Sequence, residues 1–116
     1  MKVAYLIIVF NLIATFAFAH KPGKIELSAD IKNKILTVKI NHRTKDVATH
    51  FISRAEIFLN GQKVGEIKFT SQTSLKNNTF TQTLEEMKQG DKIEVICTCS
   101  ESGQGRASLE IVNKKR

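Results

Sequence analysis

The sequence predicts an all-β domain, an immunoglobulin-like antiparallel β-sandwich of about seven short strands, preceded by a signal peptide. Three observations predict it. Beyond Lys24, apolar residues recur at every second position in short runs, with no convincing helical period. Clusters of turn-forming residues separate those runs, the strongest being Asn60-Gly61. The chain also contains a single proline. With 116 residues, 41% of them hydrophobic and 25% charged, it has the length and composition of one ordinary globular domain, without internal repeats or low-complexity tracts.

The first residues stand apart. Met1-Lys2 is a short basic start, Val3 to Ala19 an apolar stretch, and Ala17-Phe18-Ala19 the small-x-small pattern of a signal peptidase site. The expected division is a signal peptide over residues 1–19 and a domain over residues 20–116, exported to the periplasm or the extracellular space. The alternative is an uncleaved anchor, but the run is just short of a comfortable membrane span and is interrupted by Asn11 and Thr15. No cysteine stands at the cleavage point, which disfavours a lipoprotein. Cleavage would make His20 the first residue, where a free amine and the imidazole beside it can chelate one ion, an arrangement suited to copper(II). A polar residue just after a cleavage site is also ordinary without any metal.

From Lys24 onward the elements follow in order. Ile25, Leu27 and Ala29 alternate with polar residues, as do Leu36, Val38 and Ile40, and the second phase continues to His42, which therefore leaves its strand on the buried side. Phe51 to Leu59 is mixed, as expected of a strand covered on both faces or bulged near Ser53. Asn60-Gly61 turns the chain into a strand from Val64 to Phe69. Thr70 to Asn78, rich in Ser, Thr and Asn, reads as a long connection, and Thr79 to Leu84 as the next strand, with Phe80, Gln82 and Leu84 in one phase. After the Gln89-Gly90-Asp91 turn, Ile93, Val95, Cys97 and Cys99 share a face. Ser100 to Gly105 is a loop, and Ala107 to Val112 closes the domain.

The chemistry-bearing residues are few. Two of the three histidines, His42 and His50, flank one short loop, and imidazole is a common ligand for borderline metals. The same residues can equally serve as capping or surface groups. Cys97 and Cys99, two apart in a strand, would hold their β-carbons about 6 to 7 Å apart, beyond the roughly 3.8 Å of a disulfide. Either both are small buried hydrophobes, or a metal protects one as a thiolate.

Three segments carry a likeness to a known family. They are His20-Lys21-Pro22 followed by Ile25-Glu26; Val38-Lys39-Ile40-Asn41-His42 with His50-Phe51-Ile52 and Glu56-Ile57-Phe58-Leu59-Asn60-Gly61; and Ile93-Glu94-Val95 leading to Cys99-Ser100-Glu101-Ser102-Gly103. Together they resemble the iron-binding domain of superoxide reductases, the desulfoferrodoxin and neelaredoxin family. The resemblance implies an immunoglobulin-like sandwich in which four imidazoles ring a ferrous ion and one thiolate binds from below. It leaves an open face where superoxide is reduced to peroxide. Carried onto this chain, it implies His20, His42, His50 and Cys99 as metal ligands. The family's fifth ligand, a histidine, is replaced by Ser102, a much poorer ligand for iron. The His42 to His50 loop is longer than usual and lacks the family's proline, and the Glu-Lys lead-in before the first histidine is absent.

The expected function is thus an exported, iron-binding, superoxide reductase-like domain that meets superoxide or another small anion and takes electrons from an external donor. An alternative is a periplasmic copper or zinc binding protein whose mature terminal His20 supplies amine and imidazole, since copper or zinc also suit a three-histidine, one-thiolate set. A metal-free immunoglobulin-like module binding by its loops or sheet edges is the remaining alternative. Removal of the leader takes the formal charge only from +7 to +6, because Lys2 is its sole charged residue. A basic surface draws in anions, while Lys114, Lys115 and Arg116 read as a solvated tail. Without a basic helix or stacking platform, nucleic acid is disfavoured. No nucleophilic triad, phosphate-cradling glycine loop or paired carboxylates suggests hydrolase or transferase chemistry.

Overall fold

Alternating apolar residues bring seven antiparallel strands together in two sheets. The computed structural model describes residues 22–112, so the leader expected over 1–19, His20 and the basic cluster at 114–116 lie outside the described residues. The strands are β1 (Ile25–Asp30), β2 (Ile35–Asn41), β3 (Ile52–Leu59), β4 (Gln62–Lys68), β5 (Asn77–Thr83), β6 (Lys92–Cys99) and β7 (Gln104–Glu110). One sheet has the order β1-β2-β5 and the other β4-β3-β6-β7. Among the described residues, no helix is long and apolar enough to cross a membrane.

The central strands supply the core. Leu36, Val38 and Ile40 of β2 face Ile52, Ala55, Ile57 and Leu59 of β3 and Ile93, Val95 and Cys97 of β6, with Leu84, Met87 and Ile111 closing the far end. Each fully buried Leu or Ile contributes about 1.5–3 kcal/mol. The mixed pattern of β3 has a specific cause: its register against β6 shifts between Ile52 and Arg54. That bulge at Ser53 absorbs the odd spacing between Ile52 and Ala55, so both point inward. A second irregularity, between Ile57 and Phe58 against β4, has no sequence signature.

The Asn60-Gly61 turn is as expected, with φ of 52° and 87° at its two residues. Three strand starts differ from the sequence expectation. β4 begins at Gln62, because Gln62 and Lys63 pair with Leu59 and Phe58. β5 begins at Asn77, because Asn77 and Asn78 pair with Asn41 and Ile40. The last strand starts at Gln104, because Gln104, Gly105 and Arg106 pair with Thr98, Cys97 and Ile96.

This topology gathers one set of strand ends. Ile52, opening β3, lies opposite Cys99, closing β6. The end of β2 meets the start of β5, and the first described residues join it: Gly23 N donates to Asn41 O at 2.7 Å and Asn41 N to Lys24 O at 2.9 Å.

Candidate metal centre

His42 follows β2 directly, and continuing the inward phase of Leu36, Val38 and Ile40 leaves it buried. Its backbone N–H is held by Lys76 O at 3.1 Å. His50 is delivered by a tight turn in which the Asp46 carbonyl accepts from both Thr49 N and His50 N, while Asp46 Oδ1 accepts from Ala48 N. Cys99 is the last inward residue of β6. Its N–H donates to Gly103 O at 3.0 Å, which folds the chain sharply after the strand. The histidine and cysteine loops are tied together, because Ser100 N donates to Phe51 O at 2.7 Å and Phe51 N to Ser100 Oγ at 3.0 Å.

The result is a three-residue cluster: the ligand atoms of His42, His50 and Cys99 all lie within 4.8 Å of one another. His50 Nε2 is 3.1 Å from Cys99 Sγ, and the His42 and His50 rings meet edge to face with centroids 4.8 Å apart. Bonds of about 2.1 Å to nitrogen and 2.3 Å to sulfur place the two donors about 3.1 Å apart when they subtend a right angle, and about 3.6 Å at a tetrahedral one. The His50–Cys99 separation therefore fits neighbouring ligands at a right angle. The widest separation exceeds by a few tenths of an ångström what two such bonds can span, so closing all three donors on one ion needs a small side-chain movement.

Gln72 determines how His42 presents itself. Its Nε2 donates to His42 O at 2.7 Å and to Ser74 O at 2.9 Å, while its Oε1 accepts from Ile52 N at 3.2 Å. Flipping the amide would set donor against donor and acceptor against acceptor, so the atom 2.7 Å from His42 Nδ1 is an oxygen. Nδ1 must then carry the proton, leaving the Nε2 lone pair to bind a metal. Burial lowers the His42 pKa below its ordinary value, against the pull of the Gln72 hydrogen bond, and the charge of His50 adds to the lowering. The imidazole is accordingly neutral near pH 7, the state that a metal requires.

The two cysteines separate in role. Both are free and buried. Cys97 lies wholly in the core, where burial pushes its thiol up to about 12. Cys99 lies at the rim beside His50 and also accepts from Glu101 N at 3.5 Å. Ser102 is exposed in the loop between β6 and β7 and is not part of the cluster. His20 lies outside the described residues. Gln72 escaped the sequence reading because it sits in a polar connection, and nothing in its neighbours distinguishes it from the surrounding Ser and Thr residues.

The donor set, two imidazoles and a thiol on a rigid sandwich rim, suits a borderline metal. The sandwich itself is that of the superoxide reductases. Superoxide reductase (neelaredoxin) from Ignicoccus hospitalis superposes with a TM-score of 0.51 at 23% identity, covering 82% of this chain and 81% of that one. A single-residue variant of it reaches 0.52 at 23% identity over 88% and 86% of the two chains. A hypothetical protein from Pyrococcus horikoshii gives 0.51 at 15% identity over 80% and 90%. No protein-family model and no curated protein matches the sequence.

Proposed function

We propose that this protein is an exported mononuclear metal-binding domain that takes iron and uses it to reduce superoxide. The observation that supports this most directly is the meeting of His42, His50 and Cys99, with the His42 tautomer set by Gln72 so that Nε2 keeps its lone pair as a donor. Solved structures of the same fold bear the name superoxide reductase. Iron held by imidazoles and a thiolate supplies single electrons to a small oxygen species.

The residues of the chain have distinct parts in this reading. Cys99 is the anionic donor, stabilised by the Glu101 N–H. His42 and His50 are neutral donors, one fixed by Gln72 and the other by the turn at Asp46. His20 is proposed as the fourth donor. This reading is supported by Gly23, three residues further on, whose N–H donates to the carbonyl of Asn41, the neighbour of His42.

Metal analysis of the processed protein, combined with its absorption spectrum, tests the proposal. Iron near one equivalent and a thiolate-to-metal band are expected, with His42→Ala and Cys99→Ser each lowering the metal content. Reduced protein should consume superoxide, and Cys99→Ser should abolish this. N-terminal sequencing of the exported form should begin at His20. Unchanged metal content in His42→Ala would overturn the metal site. Copper that is lost when one residue is added before His20 would replace iron with an N-terminal copper site.

A further inference from the structure

His50, the loop from Arg43 to Thr49 and the connection before β5 line an open cleft of about 620 Å³. Arg43, Lys45 and Lys76 lie on its wall together with one carboxylate, Asp46, and the side chain of Leu75, which is 53% exposed. The salt bridges of the described residues involve Arg54, Lys63, Lys88 and Arg106, so none of the three cleft cations is neutralised by one. Asp46 is committed to the turn, accepting Ala48 N at 2.9 Å. The wall thus carries an excess of positive charge beside an apolar side chain.

A diatomic anion fills only a small part of such a space, which falls in the range of about 300–1,000 Å³ used by small organic ligands. A cleft lined by one sign of charge concentrates counter-ions, and arginine and lysine bind oxyanions through charge-assisted hydrogen bonds. We propose that the cleft binds a small multivalent oxyanion, a carboxylate- or phosphate-bearing molecule, with Arg43, Lys45 and Lys76 on its charged groups and Leu75 against its carbon skeleton. This goes beyond the metal reading and does not depend on it, because none of these four residues is a proposed metal ligand.

The test is an NMR titration of purified protein, without added metal, with inorganic phosphate and with malonate at low ionic strength. Saturable shifts at the Leu75 methyls and the Thr44 and Thr49 amides are expected, weakening as salt is raised. The double charge reversal Lys45→Glu with Lys76→Glu should weaken binding about tenfold or more, and a control reversal at Lys39, on the exposed side of β2, should leave it unchanged. Saturation by malonate but not phosphate would assign a carboxylate ligand, and the reverse a phosphate. Absence of saturable shifts with either anion, or equal binding by the double variant with a native spectrum, would overturn the proposal. Because binding is read without metal, failure of the metal site leaves this result intact.

Discussion

Gln72 Oε1 lies 2.7 Å from His42 Nδ1, and the same side chain returns a 2.7 Å hydrogen bond to the carbonyl of His42. One amide therefore fixes both the ring and the backbone of a single residue. Outer-shell partners of this kind are worth roughly 10–100-fold in metal affinity. Replacing Gln72 with Met, similar in length and without polar atoms, should lower affinity by about that factor in a chelator competition. It should also strand buried donors and acceptors, costing roughly 1–3 kcal/mol in urea unfolding. Unaltered affinity in a folded variant would show that the tautomer is set by something else.

Cys97 and Cys99 share a face of β6, but Cys99 Sγ lies 3.1 Å from His50 Nε2 whereas Cys97 is packed in the core. Cys97→Ala should retain the metal and its thiolate absorption band, at a stability cost of about 1–2 kcal/mol from lost core packing. Cys99→Ala should lose the band, and with it more affinity than the roughly 10–100-fold of an outer-shell change. In that variant the remaining thiol, held at about 12, should show no thiolate absorbance below about pH 10 until the protein unfolds. Early titration would mean that Cys97 is not sealed in the core.

Much of this centre was legible from period-two alternation. The phase through Leu36, Val38 and Ile40 placed His42 on the buried side, and that through Ile93, Val95 and Cys97 did the same for Cys99. Asn60-Gly61 announced its hairpin because two consecutive positive φ values suit few other residue pairs. The pairing of β2 with β5 was hidden, since it joins residues about forty apart through a connection whose polar residues carry no phase. Gln72 was hidden for a related reason: its role depends on where the chain lies relative to His42 and Ile52, a long-range fact that local composition does not encode. The start of β5 was missed because Asn77 and Asn78 have low strand propensity, which their pairing with β2 overrides.

Asp91 gives the fold a dependence on acid. Its buried carboxylate accepts from Asn60 Nδ2 at 2.9 Å, Lys88 N at 3.0 Å and Lys88 Nζ at 3.2 Å. The Asn60 bond, opposed by burial and reinforced by Lys88, holds its pKa below the usual carboxylate value. A lowered native pKa means that the stabilisation is complete above the unfolded value of about 4 and is lost as the pH falls through the native one. Wild type should therefore exceed Asp91→Asn in urea midpoint near neutrality, and the gap should close in the acid range below about pH 4. A gap independent of pH would remove the carboxylate charge from the account.

Gly105 bears on the proposed fourth ligand. A β-carbon there would meet Ile25 Cδ1 and Pro22 Cβ, both at 3.4 Å, with Pro22 O at 3.6 Å, which is close but ordinary contact. Gly105→Ala should be accommodated, whereas the two further methyl groups of Gly105→Val, added where the β-carbon already touches Pro22, should push Pro22 away from β7. Pro22 lies two residues after His20, so displacing it should withdraw that imidazole while His42, His50 and Cys99 stay in place. Gly105→Val and His20→Ala should each weaken metal binding by about tenfold or more. The double variant should be no weaker than either one, because both act on the same donor and their effects cannot add. Additive losses would place the influence of Gly105 elsewhere, and wild-type affinity in His20→Ala would remove His20 from the ligand set.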